Sequence, residues 1–119
     1  MKTRTKNILI WVIVIFVSFV FVLVGVQKLL GVASQIEKLK GWGFPLWTRF
    51  PIGIVELALG ILLLFPKSRK LTIYLILVWG LFAVITYIQA GQIIQAGLPL
   101  LLALIAASIL PISGIKTSE

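Results

Sequence analysis

From Ile8 to Val26 the chain carries no ionisable side chain, and only Ser18 and Gly25 interrupt a run of large apolar residues. An α-helix rises 1.5 Å per residue, so this run approaches the roughly 20 residues that carry a helix across a hydrocarbon core about 30 Å thick. In lipid every backbone N–H and C=O must find its partner inside the structure, and a helix meets that demand within one segment. The run is too long for the roughly 7–15 residue apolar core of a secretory signal, although Gly31-Val32-Ala33 faintly mimics a cleavage site. An uncleaved first span is therefore expected over about residues 8–30, with Lys2, Arg4 and Lys6 ahead of it and Trp11 as an interfacial aromatic.

The same pattern recurs. Apolar segments at about 48–65, 71–90 and 98–112 are separated by the basic turn Pro66-Lys67-Ser68-Arg69-Lys70 and by the polar, uncharged link Gly91 to Gly97. Pro99 suits the first turn of the last helix. Apolar residues make up 61% of the 119, well above the roughly 45–50% of water-soluble domains. The charged residues, 12% of the chain, gather at the ends of the apolar runs. The expected fold is all-α: one membrane domain over residues 1–119, a four-transmembrane-helix bundle with a short interfacial helix in the first extracytoplasmic loop. The second and fourth spans are short, which leaves that loop as a lid over the outer end of the bundle.

The interfacial helix is expected at about 33–40, where Val32, Ile36 and Leu39 fall at helical spacing while Glu37, Lys38 and Lys40 face away. Ser34 and Glu37 fit a capping box. Gly41 to Trp47 then combines turn residues with aromatics suited to the headgroup region. Of the basic residues, Lys2, Arg4, Lys6, Lys67, Arg69, Lys70 and Lys116 fall on one side of the spans, and Lys28, Lys38, Lys40 and Arg49 on the other. That bias favours a multi-pass protein of the inner or plasma membrane with both termini cytoplasmic.

A net charge of +8 does not point to nucleic acid, because no polar surface carries a basic stripe with interleaved aromatics. Retention of loops and attraction to anionic membrane lipids account for it. With no cysteine and no histidine the chain has no disulfide, thiol chemistry or ordinary zinc, copper or haem ligation of its own. It offers no nucleophile–base pair and no phosphate loop, so no catalytic residue, no metal site and no self-contained enzyme is expected. A redox role would need a partner subunit or a bound organic cofactor, a quinone or lipid.

Glu56 stands out as a carboxylate deep in an apolar span, where a charge costs on the order of 3 kcal/mol or more. Arg49, Gly53, Glu56 and Gly60 recur on one helical face, and Ser18, Gly25 and Lys28 form a comparable face on the first span. Small residues allow helices to approach closely, so these faces are expected to meet. Counting from the two ends of the spans places Lys28 about 12 Å above Glu56, too far for direct pairing without tilt, a kink near Pro51 or bridging water. The picture is a vestibule open to the outside, with Lys28 and Arg49 near its mouth and Glu56 at its floor. Glu56 then either locks two helices together, serves a ligand or proton site, or contacts another copy in a homo-oligomer. On the third span Gly80 and Ala83 are read as packing residues, and Tyr87 as a hydrogen-bonding group of the interior or an interfacial anchor.

Gly25-Val26-Gln27-Lys28-Leu29-Leu30-Gly31, Gly43-Phe44-Pro45, Ile52-Gly53-Ile54-Val55-Glu56-Leu57 and Leu62-Leu63-Leu64-Phe65-Pro66-Lys67 together resemble the DoxX-like family of small four-helix membrane proteins. The resemblance covers nearly the whole chain and implies a four-helix bundle with Gly25, Lys28, Gly53 and Glu56 as characteristic positions. It also implies roles as subunits of quinol oxidase or thiosulfate:quinone oxidoreductase complexes, as partners in thiol and oxidative-stress systems, or as assembly factors. Family members often carry a histidine near the end of the third helix, where this chain has Ala83 to Tyr87 and no histidine.

Three functions remain in view. An accessory subunit of a quinone-linked membrane redox system would use Lys28, Arg49, Glu56 and Tyr87 to hold a quinone head or a small anionic ligand. An assembly or stress-response partner would pack the polar face on another membrane protein. A proton-coupled carrier would use the deep carboxylate of Glu56.

Overall fold

A computed structural model of the chain describes residues 2–114 and is all-helical over them. Lys116, counted above among the cytoplasmic basic residues, lies outside the described residues. Helix α1 runs Thr3–Leu30, starting well before the expected residue 8. The polar first turn continues the helix because Lys and Arg are good helix formers, and its register begins with Lys6 N–H donating to the Lys2 carbonyl. At the other end Gly31 takes φ 74°, and the N–H groups of Gly31 and Val32 donate to the carbonyls of Lys28 and Gln27. This is the Schellman closure, which a left-handed glycine permits.

Helix α2 spans Ala33–Gly41 and packs back over the end of α1. The Ser34–Glu37 capping box does not form. The Schellman turn delivers Val32 in an extended conformation, φ −58° and ψ 135°, so Val32 becomes the N-cap and Ser34 falls inside the helix. The buried face also differs from the expected one: Gln35 and Leu39 are buried, while Val32 is exposed. A short 3-10 turn, Leu46–Thr48, leads into α3, Arg49–Leu63. Helix α4 covers Arg69–Gln89. The last apolar segment is α5, Gly97–Ala107, followed by α6, Ile109–Ser113, rather than one helix over 98–112. Pro111 explains the break at Ser108, since it has no N–H for the carbonyl of Ala107 and its ring crowds that carbonyl.

Three segments, Thr3–Leu30, Leu46–Leu63 and Arg69–Gln89, are long and apolar enough to cross a membrane, and Gly97–Ser113 is a shorter apolar helix. Ile10, Val14, Val17 and Phe21 form the inward stripe of α1 and meet Leu59 and Leu63 of α3, Ile73 and Ile76 of α4, and Ala103, Ala106 and Ile109 of the last segment. The opposite faces carry exposed Ile, Leu, Val and Phe throughout. That is the surface of a protein solvated by lipid.

Two helix contacts set the shape. A Cβ on Gly25 would lie 2.7 Å from the Leu57 nitrogen and 2.8 Å from the Gly53 carbonyl oxygen; one on Gly60 would lie 2.9 Å from the Ser18 carbonyl. Helices α1 and α3 therefore touch backbone to backbone along Ser18, Gly25, Gly53 and Gly60. Helix α4 meets α5 where Gly80 faces Ala103, a turn before the buried Ala83. The molecule is two tight helix pairs, α1/α3 and α4/α5, facing one another.

Candidate functional site

The antiparallel register of α1 and α3 decides which polar groups meet. With Gly60 against Ser18 and Gly53 against the Lys28 Cβ, Glu56 is level with Gly25, and Lys28 is one helical turn further along. A turn is about 5.4 Å, within the reach of a lysine side chain. Lys28 Nζ accordingly lies 2.6 Å from Glu56 Oε1, with both side chains 3% exposed. The expected 12 Å separation is thereby corrected. It rested on taking Trp11 and the end of the second span as level, whereas α1 extends well past α3.

Arg49 is not at the mouth of a vestibule. Its guanidinium donates to the carbonyls of Lys28 and Leu29, at 3.3 and 3.4 Å, and lies over the Phe50 ring. It satisfies carbonyls left open at the C-terminus of α1, where a cation is also favoured by the helix dipole.

Between the two helix pairs lies a cavity of about 780 Å³. Its polar end is formed by Lys28, Glu56, Lys38, Trp42 and Tyr87. Its walls are apolar and include Phe16, Val55, Val78, Phe82 and Leu101, each about half or more exposed on the outer face. The cavity thus opens sideways through the apolar surface, toward lipid, instead of outward to water as expected. Tyr87 is buried and packs edge-on against Trp42, centroids 4.9 Å apart, beneath the segment that follows α2.

Lys38 and Trp42 escaped the sequence reading, which sent Lys38 outward. The missed signal is the spacing Gln35, Lys38, Leu39, Trp42, one face of a helix turned toward the bundle. Gln35 secures that face by donating to Gln27 Oε1 at 3.1 Å, and Leu39 is fully buried. Burial pushes the Lys38 ammonium below the ordinary lysine value, with the Glu56 carboxylate pulling the other way. The buried Trp42 indole N–H and the Ser18 hydroxyl have no hydrogen-bond partner among the described residues. Two ammonium groups and one carboxylate therefore share one end of an apolar cavity. Such an arrangement can hold a hydrogen-bonding head while leaving an apolar tail among the walls or in lipid.

No curated protein and no solved structure matches the chain. The sequence pattern of the DoxX-like family matches residues 12–109, a stretch that includes every residue of the cavity's polar end. The chain is a membrane protein and belongs to the DoxX-like family.

Proposed function

We propose that this protein is a non-catalytic, ligand-binding subunit of a quinone-linked redox system in the inner membrane. The observation that carries the reading is the lateral cavity with the Lys28–Glu56 pair at its polar end. A quinone is a flat head bearing carbonyl acceptors on a long isoprenoid tail. Its head would reach the ammonium and hydroxyl donors of Lys38 and Tyr87, and its tail would leave through the apolar opening without crossing water. Electrons would come and go through a partner subunit, since this chain supplies no redox group of its own.

The reading includes four spans: α1, the Leu46–Leu63 segment, α4 and the Gly97–Ser113 segment, with α2 lying in the interface. Seventeen helical residues rise about 26 Å, short of a 30 Å core but tolerable with local thinning. The basic residues at Lys2 to Lys6 and Lys67 to Lys70 support a cytoplasmic placement of both termini. Because the chain has no cysteine, single cysteines test this directly. Lys67→Cys should resist a membrane-impermeant thiol reagent in intact cells, while Glu37→Cys and Gln95→Cys should react; the reverse pattern would invert the topology.

The function is tested by extracting the purified protein with organic solvent. Isoprenoid quinone should accompany the wild type in near-stoichiometric amount and be lost from Glu56→Gln. Wild-type extracts holding phospholipid but no quinone would overturn the reading.

A further inference from the structure

We propose that Lys38 makes the cavity select a head that only accepts hydrogen bonds, so that the oxidised quinone binds in preference to the quinol. This rests on the quinone reading above and names the redox form that the site takes.

Lys38 is half-buried on α2 and lines the cavity beside Lys28, Trp42, Glu56 and Tyr87. It is held there by its neighbours: Leu39 is fully buried, Gln35 is tied to Gln27, and the chain after α2 returns through Trp42, which packs on Tyr87. Among the described residues Glu56 is in an ion pair with Lys28 and with no other cation. Lys38 therefore contributes a positive charge and three N–H donors with no carboxylate in ion-pair contact among the described residues, although Glu56 acts on it electrostatically. The Trp42 N–H is buried and has no acceptor among the described residues.

The consequence is an imbalance. Lysine and tryptophan can only donate, and the tyrosine hydroxyl can do either, so it expresses no preference. Among the described residues Glu56 is the one carboxylate lining the cavity, and Lys28 at 2.6 Å from its Oε1 takes up part of its acceptor capacity. A quinone offers carbonyl oxygens to this surplus of donors. A quinol oxygen can also accept, but more weakly than a quinone carbonyl, and each hydroxyl brings a hydrogen that neither lysine nor tryptophan can receive. Leaving buried donors unmatched is costly, and hydrogen bonds to charged donors are the stronger ones.

The test uses the full-length protein in phosphatidylcholine nanodiscs at neutral pH. Decylubiquinone and its quinol, kept reduced under argon, are titrated by calorimetry into wild type, Lys38→Met and Lys38→Arg. Wild type should bind the oxidised form about tenfold more tightly or better, and Lys38→Met should bring the two within about threefold. Lys38→Arg keeps charge and donors and should keep the preference. An unchanged ratio in Lys38→Met, or a wild type that binds both forms equally, would overturn the inference while leaving the quinone site standing. Equal loss of both forms in Lys38→Met would show a structural role and also overturn it. Absence of binding to the wild type by either form would remove the quinone reading itself, an outcome visible before any variant is made.

Discussion

Removing either partner of the Lys28–Glu56 pair should cost far more than removing both. In Glu56→Leu the lysine ammonium is left at a position only 2% exposed. It can escape its charge by losing a proton, at about 1.4 kcal/mol for each pH unit between 7 and the free lysine value, about 4.6 kcal/mol in all. In Lys28→Met the carboxylate escapes by gaining a proton, at about 3.7 kcal/mol by the same arithmetic. These figures are ceilings, and both fall within the roughly 3–5 kcal/mol measured when one member of a buried pair is deleted. In Lys28→Met/Glu56→Leu no charge remains and two apolar side chains of similar length fill the space, so stability should return to within about 1 kcal/mol of wild type or exceed it. The assay is reversible unfolding in dodecylmaltoside by added dodecyl sulfate, followed by far-ultraviolet circular dichroism. A double variant whose loss equals the sum of the singles would refute the coupling. Single variants losing under about 1 kcal/mol each would show that water reaches the pair.

Further outcomes follow from the same geometry. Gly25→Ala puts a methyl against the Leu57 nitrogen and the Gly53 carbonyl, backbone atoms that cannot swing aside; the α1/α3 pair should lose about 1–3 kcal/mol in the same unfolding assay. Arg49→Ala uncovers the carbonyls of Lys28 and Leu29, and should cost about 1 kcal/mol without changing the amount of co-purified quinone. The preference for the oxidised head is present while Lys38 is protonated and should fade as pH rises through its titration, which burial moves below the ordinary value of 10.5. Lys28, Glu56 and Tyr87 face it from α1, α3 and α4, so Lys38→Arg is the control and should hold its preference through the pH at which wild type loses it.

How far the sequence could be read depended on whether one helix or several set the feature. The apolar runs and the Gly31 stop are local: lipid requires the first, and a left-handed closure the second. The faces carrying Gly25 with Lys28, and Gly53 with Glu56 and Gly60, are also properties of single helices. The height of one helix against another is not. The level of Lys28 relative to Glu56 depends on which glycine meets which carbonyl, and counting from chain ends cannot recover it. The face that α2 presents was misread for a related reason. Apolar spacing singled out Val32, Ile36 and Leu39, but the tight turn at Gly31 fixes how α2 leaves α1 and turns Gln35, Lys38 and Leu39 inward.

The two helix pairs also explain why an open cavity persists. In water an apolar groove between α1/α3 and α4/α5 would collapse or bind a partner, because exposed apolar surface is unfavourable. In a bilayer the lipid tails are as apolar as leucine, so no such force closes it, and helices associate through small-residue contacts and polar groups instead. The α1/α3 pair takes its closeness from Gly25, Gly53 and Gly60, and the α4/α5 pair from Gly80 and Ala103. Between the pairs the walls can exchange one hydrocarbon chain for another at little cost. Discrimination then falls to the polar end, where Lys28, Lys38, Trp42, Glu56 and Tyr87 line the cavity. A membrane protein of this size can therefore be permissive about tails and selective about heads, with its selectivity carried by a lysine on α2, outside the three long apolar helices.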